Sequence, residues 1–203
     1  DSIYEVLLDR RPIREVIRKT ELKFLDLVPA SRHLVGAELE LAAAERREYR
    51  LKEALDEVAS EYQYLIVDCP PSLGLLTLNG LVAAQGVLVP LQCEYFALEG
   101  LADILRTIDL VRGSQNPGLT VDGILLTMYG QNNLAAQVAE EIRSHFSGRV
   151  FETVIPRNVR LSESPSHGKP ILLYDVACKG CQSYLELARE VVQRAGLEGR
   201  AAP

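Results

Sequence analysis

Asp68 closes the apolar run Tyr64-Leu65-Ile66-Val67 and is followed by Cys69-Pro70-Pro71-Ser72. A carboxylate at the carboxyl end of such a run stands where open α/β sheets bind ligands. A hard oxygen donor in that place suits the outer shell of a Mg2+ ion held together with nucleotide phosphates. Cys178-Lys179-Gly180-Cys181 has Cys-x-x-Cys spacing just ahead of a helix. No second Cys pair or suitably spaced His accompanies it, which argues against a four-ligand zinc site. It reads as small residues at a helix start, with a redox pair as the alternative. Ser162, Glu163, Ser164 and His167 crowd one short stretch without a strand-to-helix nucleophile elbow, which argues against a hydrolytic triad. Gly168-Lys169 precedes Pro170 and has no Gly five residues upstream, so it is not a phosphate-binding loop.

The elements that must position these groups follow from apolar spacing. Four consecutive apolar residues at Tyr64–Val67 predict a strand buried on both faces, since a half-exposed strand would alternate. The two prolines stop it, and Ser72 is placed to cap a helix beginning at Leu73. Phe24–Val28, Val87–Leu91, Val121–Met128 and Val150–Ile155 are further strand candidates, giving five, with Pro90 pushing its run toward a strand end. Helical spacing runs from Leu34 to Ala44, through Leu51, Leu55, Val58 and Tyr62, and from Leu75 to Ala84. It returns at Leu98, Leu101, Leu105, Ile108 and Val111, at Leu134, Val138, Ile142 and Phe146, and from Gly180 to Ala195. Strands alternating with helices predict an α/β fold, a mostly parallel sheet flanked by helices on both faces.

The 203 residues are 47% hydrophobic and 25% charged, an ordinary globular composition of single-domain length, and residues 196–203 read as a loose tail. The net charge of −6 excludes a wholesale basic coat, although a local basic face depends on placement rather than on the sum. No run of about 18 apolar residues predicts a membrane span. Four cysteines, unclustered except for one pair, suit a reducing cytosol, with Cys69 and Cys93 expected to be buried.

Asp68-Cys69-Pro70-Pro71-Ser72-Leu73-Gly74 resembles the Walker B segment of the ParA/Soj partition ATPases, a deviant-Walker branch of the P-loop NTPases. Arg47–Leu51, Gln92–Gly100, Ile155–Glu163, Tyr174-Asp175 and Tyr184–Ala188 agree with the same family in order along the chain. The resemblance implies one ParA-type ATPase domain over residues 1–203, lacking at its N-terminus the first strand, the P-loop and a second acidic motif. The missing strand would neighbour the Asp68 strand, leaving edges unpaired and the residues poorly stable or prone to associate. By the same resemblance Asp68 orients Mg2+ through water, while Pro156, Arg157 and Asn158, with Thr127 and Met128 as a second wall, line the pocket for ATP. Arg160 and Lys179 are the expected DNA-contacting cations. A further family Arg soon after Met128 is missing from Tyr129-Gly130-Gln131-Asn132-Asn133. The implied activity is slow Mg2+-dependent ATP hydrolysis that switches a homodimer on and off nonspecific DNA. A ParB-like centromere-binding protein stimulates it, in the cytoplasm at the nucleoid. Without a P-loop the 203 residues are expected not to hydrolyse ATP. Two alternatives are a non-catalytic paralogue that acts as an interaction module and a MinD-like membrane-associated switch. The glycine-broken C-terminal end argues against the latter.

Overall fold

The computed structural model describes residues 1–70, 72–130 and 132–196. Pro71 of the proline pair, Gln131 and the expected tail from residue 197 onward lie outside the described residues. The chain forms two compact units, one from residues 1–85 and 107–119, the other from residues 86–106 and from 120 onward.

In the first unit, helix α1 (Ile3–Leu8) starts at Ser2, whose Oγ accepts the Tyr4 N–H. The Glu5 carboxylate accepts the Ser2 N–H at 2.7 Å, closing a capping box. Pro12 opens a single 3-10 turn, Ile13–Glu15, as its fixed φ favours. Ile13, Val16 and Val6 pack with Ala54 and Val58 from the region of α3 (Arg50–Asp56). Leu7 and Leu51 pack with Leu41 of α2 (Leu34–Leu41), joined by Leu75 and Leu76 of α4 (Leu75–Ala83). The expected strand at Phe24–Val28 shrinks to Asp26–Leu27 (β2), paired antiparallel with Arg18–Lys19 (β1). Phe24 is 84% exposed, so its apolar run does not enter a core.

Two buried or half-buried amides tie this unit together. Asn79, 1% exposed, accepts the Leu51 N–H at 3.1 Å and donates to the carbonyls of Arg47 and Leu75 at 2.8 and 2.9 Å. It thereby fixes α4 against the start of α3. Asn116, in the turn after helix α5 (Ala97–Ser114), donates to the carbonyls of Leu81 and Ala84 at 2.9 and 2.7 Å. Those carbonyls belong to the end of α4, which a helix leaves without internal partners.

In the second unit, β3 (Gly86–Gln92) and β4 (Thr120–Thr127) run parallel, with Val89 opposite Ile124 and Gln92 opposite Thr127. Pro90 lies inside β3 rather than at its end, and β3 pairs with β4 alone among the described residues. A proline is tolerated where one strand edge has no ladder to feed. Gly123 to Leu126 are all buried, the signature of a strand covered on both faces. The other edge of β4 is joined by residues 150–156 through parallel bridges at Ile124–Val150 and Tyr129–Pro156.

The expected strand Val150–Ile155 is therefore interrupted in its middle, for a reason visible in the side chains. Glu190 of α9 (Lys179–Arg194) accepts the N–H groups of Glu152 and Thr153 at 2.9 and 3.0 Å, taking the Thr153 donor that a continuous ladder to β4 would use between the Phe151 and Ile155 N–H bonds. Arg194 holds Glu190 at 2.7 Å, donates to the Val150 carbonyl at 2.8 Å, and lies 4.2 Å above the buried Phe151 ring. Helix α6 (Asn133–His145), capped by Asn132 accepting the Ala135 N–H at 2.8 Å, turns Val138 and Ile142 inward. Short helices α7 (Val159–Glu163) and α8 (Ile171–Tyr174) precede α9.

Candidate nucleotide site and basic segment

Asp68 belongs to the first unit, and its surroundings depart from the expectation of a strand buried on both faces. Tyr64 to Pro70 form no ladder with any described residue, and Ile66 is 92% exposed. An apolar run becomes a buried strand only where neighbours pair with it and cover it, and here neither is supplied. The Asp68 carboxylate is exposed and carries no hydrogen bond or ion pair with any described residue. Cys69 is likewise exposed, whereas Cys93 is buried as expected.

The turn after Asp68 is held from behind. Thr77 Oγ1 donates to the Ser72 and Pro70 carbonyls at 2.5 and 3.3 Å. The helix begins at Leu75, where the helical spacing puts it and two residues after the start that a Ser72 cap would set, with Gly74 as its N-cap and no bond from Ser72. Glu38 of α2 substitutes for the local cap, its Oε1 accepting the Leu76 N–H at 3.1 Å. That carboxylate occupies the space a side chain at Gly74 would need, with Oε1 2.1 Å from an ideal Cβ position. Gly80 does the same for Cys69, whose Sγ would lie 2.6 Å from a Cβ at that position. A cleft of about 850 Å3 on this side of the turn is lined by Glu38, Leu73, Gly74, Thr77, Leu110 and Gln115, and Asp68 does not line it.

The other expected nucleotide residues are in the second unit, and there the structure gathers them. Tyr129 donates its N–H to the Ile155 carbonyl at 3.0 Å and accepts the Arg157 N–H at 3.1 Å. The pair of bonds places Thr127-Met128 beside Pro156-Arg157-Asn158 at the carboxyl end of β4. Met128 has φ of 48°, a left-handed conformation uncommon without glycine, and its side chain is half exposed. Asn158 is engaged as the N-cap of α7, its Oδ1 accepting the Arg160 N–H at 2.9 Å.

The basic residues differ in availability. Arg160 contacts Glu163 at 3.0 Å and Asp175 at 3.5 Å. Glu163 also accepts the Tyr174 hydroxyl at 3.2 Å, and the Tyr174 ring stacks on His167 with centroids 4.9 Å apart. Arg157, Lys169 and Lys179 are exposed and make no ion pair with any described residue. Among the described residues no group of three or more His, Cys, Asp or Glu side chains is placed to hold a metal. Asp68, as a free hard oxygen donor, fits a Mg2+ ion only as an outer partner completed by water and phosphate oxygens.

Glu38, Asn79, Asn116 and Glu190 escaped the sequence reading. Each is a single polar residue whose partner lies 28 or more positions away. No local spacing marks such a contact.

The AAA domain family matches residues 1–121. The chain is 58% identical over 194 residues to the chromosome partitioning protein ParA of Myxococcus xanthus, covering 95% of this chain and 69% of that protein. The chain belongs to the ParA/Soj family of chromosome-partitioning ATPases. The sporulation initiation inhibitor protein Soj of Bacillus subtilis is 51% identical over 190 residues, covering 93% of this chain and 75% of its own length. Among solved structures, the cobyrinic acid a,c-diamide synthase of Mycobacterium smegmatis, with bound ATP analog and magnesium, superposes with a TM-score of 0.80. It is 35% identical and covers 100% of this chain and 75% of that one. Such likeness assigns the α/β fold to the P-loop NTPases. Within this ParA/Soj chain, no described helix is long and apolar enough to cross a membrane.

Proposed function

We propose that this ParA/Soj chain works as an ATP-dependent dimer switch on nonspecific DNA, stimulated by a ParB-like partner and acting in the cytoplasm at the nucleoid. The observation that carries the reading is the similarity to ParA proteins over 95% of the chain, through the Asp68–Gly74 turn and the Ile155–Glu163 segment. In this reading Thr127, Met128, Pro156, Arg157 and Asn158 form the walls of the adenine pocket, supported by the Tyr129–Pro156 bridge that brings the two stretches together. Asp68 acts as the outer partner of Mg2+, and the bound ion would supply charge neutralisation on the phosphates. Arg160 and Lys179 contact DNA phosphates, with Arg157 and Lys169 adding to the same field.

A chain of these 203 residues, which contain no Gly-x-x-x-x-Gly-Lys-Ser/Thr sequence, does not turn ATP over by itself. Phosphate release from Mg2+-ATP is expected to stay at the blank rate with and without DNA, and release above it would refute that statement. The pocket is tested separately by photolabelling with 8-azido-ATP at millimolar concentration and peptide mapping. Label on the peptides holding Thr127-Met128 or Pro156–Asn158 is expected. Label distributed elsewhere, or not competed by ATP, would overturn the assignment.

A further inference from the structure

We propose that Cys178 and Cys181 form a reversible dithiol–disulfide site that reacts with low-molecular-weight disulfides. All four cysteines are free thiols in the structure. Cys178 is the N-cap of α9, and its Sγ accepts the Cys181 N–H at 3.3 Å, so the sulfur of one cysteine lies over the backbone of the other. Cys178 as the extended N-cap and Cys181 as the third helical residue stand in the capping relation that turns the first side chain over the backbone of the third. The Cys178 carbonyl accepts the Gln182 N–H at 3.1 Å, and Gln182 Nε2 donates to the Val176 carbonyl at 2.6 Å, so the turn is pinned at both ends. Gly180, between the cysteines, abuts Leu161 of α7 so closely that a Cβ would lie 2.6 Å from its Cγ. The motif thus sits on a fixed support rather than on a fraying end.

The two sulfurs are unequal, and the inequality orders the chemistry. Cys178 is half-buried and within reach of a small reagent, whereas Cys181 is fully buried. Burial, with Cys178 and Asp175 nearby, pushes the Cys181 thiol up, which suits a residue that acts second. With oxidised glutathione, the Cys178 thiolate attacks one sulfur, forming a mixed disulfide and expelling one glutathione thiolate. Cys181 then gives its proton to solvent and attacks Cys178 Sγ, expelling the second glutathione thiolate. Two protein thiols are oxidised to one disulfide and one glutathione disulfide is reduced to two thiols, so atoms and electrons balance. Nothing in this inference depends on nucleotide or DNA.

The test uses the full chain equilibrated in glutathione buffers of increasing oxidised fraction, alkylated, and read by intact mass and peptide mapping. The expected result is loss of two alkylatable thiols, with the crosslink inside the peptide spanning 178–181 and reversal by dithiothreitol. In Cys181→Ser, Cys178 should hold about tenfold more glutathione adduct than in the parent chain, because the resolving thiol is gone. Cys178→Ser should leave Cys181 unmodified, with circular dichroism checking that α9 persists in both variants. Four thiols alkylated in the most oxidising buffer would overturn the proposal. So would a stable glutathione adduct on Cys178 in the parent chain, or a crosslink through Cys69 or between two copies.

Discussion

If Arg160 contacts DNA, it must leave Glu163 and Asp175 to do so, and both sides of that exchange are measurable. Arg157, Arg160, Lys169 and Lys179 are the exposed cations from the last bridge through the first residue of α9. Four phosphate contacts give a slope of log affinity against log salt of about −3.6, so raising salt from about 50 to about 200 mM weakens binding about 150-fold. Arg160→Ala removes one contact, bringing the slope to about −2.7 and the loss to about 40-fold. Glu163→Gln acts in the opposite direction. The Arg160–Glu163 pair is solvent-exposed on both sides, at 54% and 41%, and screened pairs of this kind contribute little, so releasing it strengthens DNA binding by no more than about fivefold. Glu163→Gln also removes a negative charge from the neighbourhood, so the informative quantity is its gain measured again in the Arg160→Ala background. That gain should shrink if Arg160 carries it. The assay is fluorescence anisotropy of a random-sequence duplex across the salt series. An unchanged slope in Arg160→Ala, or an equal Glu163→Gln gain in both backgrounds, would refute the role of Arg160.

Glu190→Ala leaves the Glu152 and Thr153 amides without their shared acceptor. Hydrogen bonds to a charged acceptor contribute ~1.5–3 kcal/mol each, and partial exposure here brings the pair to about 2–3 kcal/mol. Hydrogen exchange at those two amides should accelerate about 30- to 160-fold. Burial alone would push the Glu190 carboxyl up, but the Thr153 and Glu152 N–H groups and Arg194 outweigh it and hold it below the ordinary 4.5. Its contribution is therefore complete above about that ordinary value and fades as pH falls through the lower folded value, a loss absent from the acid titration of Glu190→Ala. Gly123→Ala sets a Cβ 2.5 and 2.9 Å from two carbons of the buried Phe151 ring and should cost about 1–3 kcal/mol by urea denaturation. Asn116→Ala strips the donor from the end of α4 and should cost about 1–3 kcal/mol, seen as faster exchange at the α4 amides.

What the sequence disclosed and what it hid divide along a physical line. Helices α5, α6 and α9, and strands β3 and β4, stand where apolar spacing puts them, because a long periodic pattern dictates both element and buried face. Tyr64–Val67 carries an equally apolar run, yet it is exposed, since burial of a strand is conferred by its neighbours and not by its own residues. Val150–Ile155 was legible as extended chain, but not its interruption, which Glu190 imposes from 37 residues away. Ser72 had the right type for a cap, and Glu38 took the role from a separate helix. Among the candidate site residues, the convergence of Thr127-Met128 with Pro156–Asn158 follows once β4 and the next extended segment are taken as neighbours. The pairing of Arg160 with Glu163 was open to the spacing i, i+3, and its pairing with Asp175 was not.

Asn116 bears also on the order in which the chain comes off the ribosome. The first unit closes on residues 107–119, so its earlier part, ending at Gln85, waits through 34 further residues before Leu119 emerges. At ordinary elongation rates that delay is about 2–7 s, long against the formation of any single helix. The end of α4 is synthesised well before the amide that satisfies it. Docking of Asn116 accordingly comes after α4 has formed, and its loss should shorten the lifetime of the finished unit more than it slows its making.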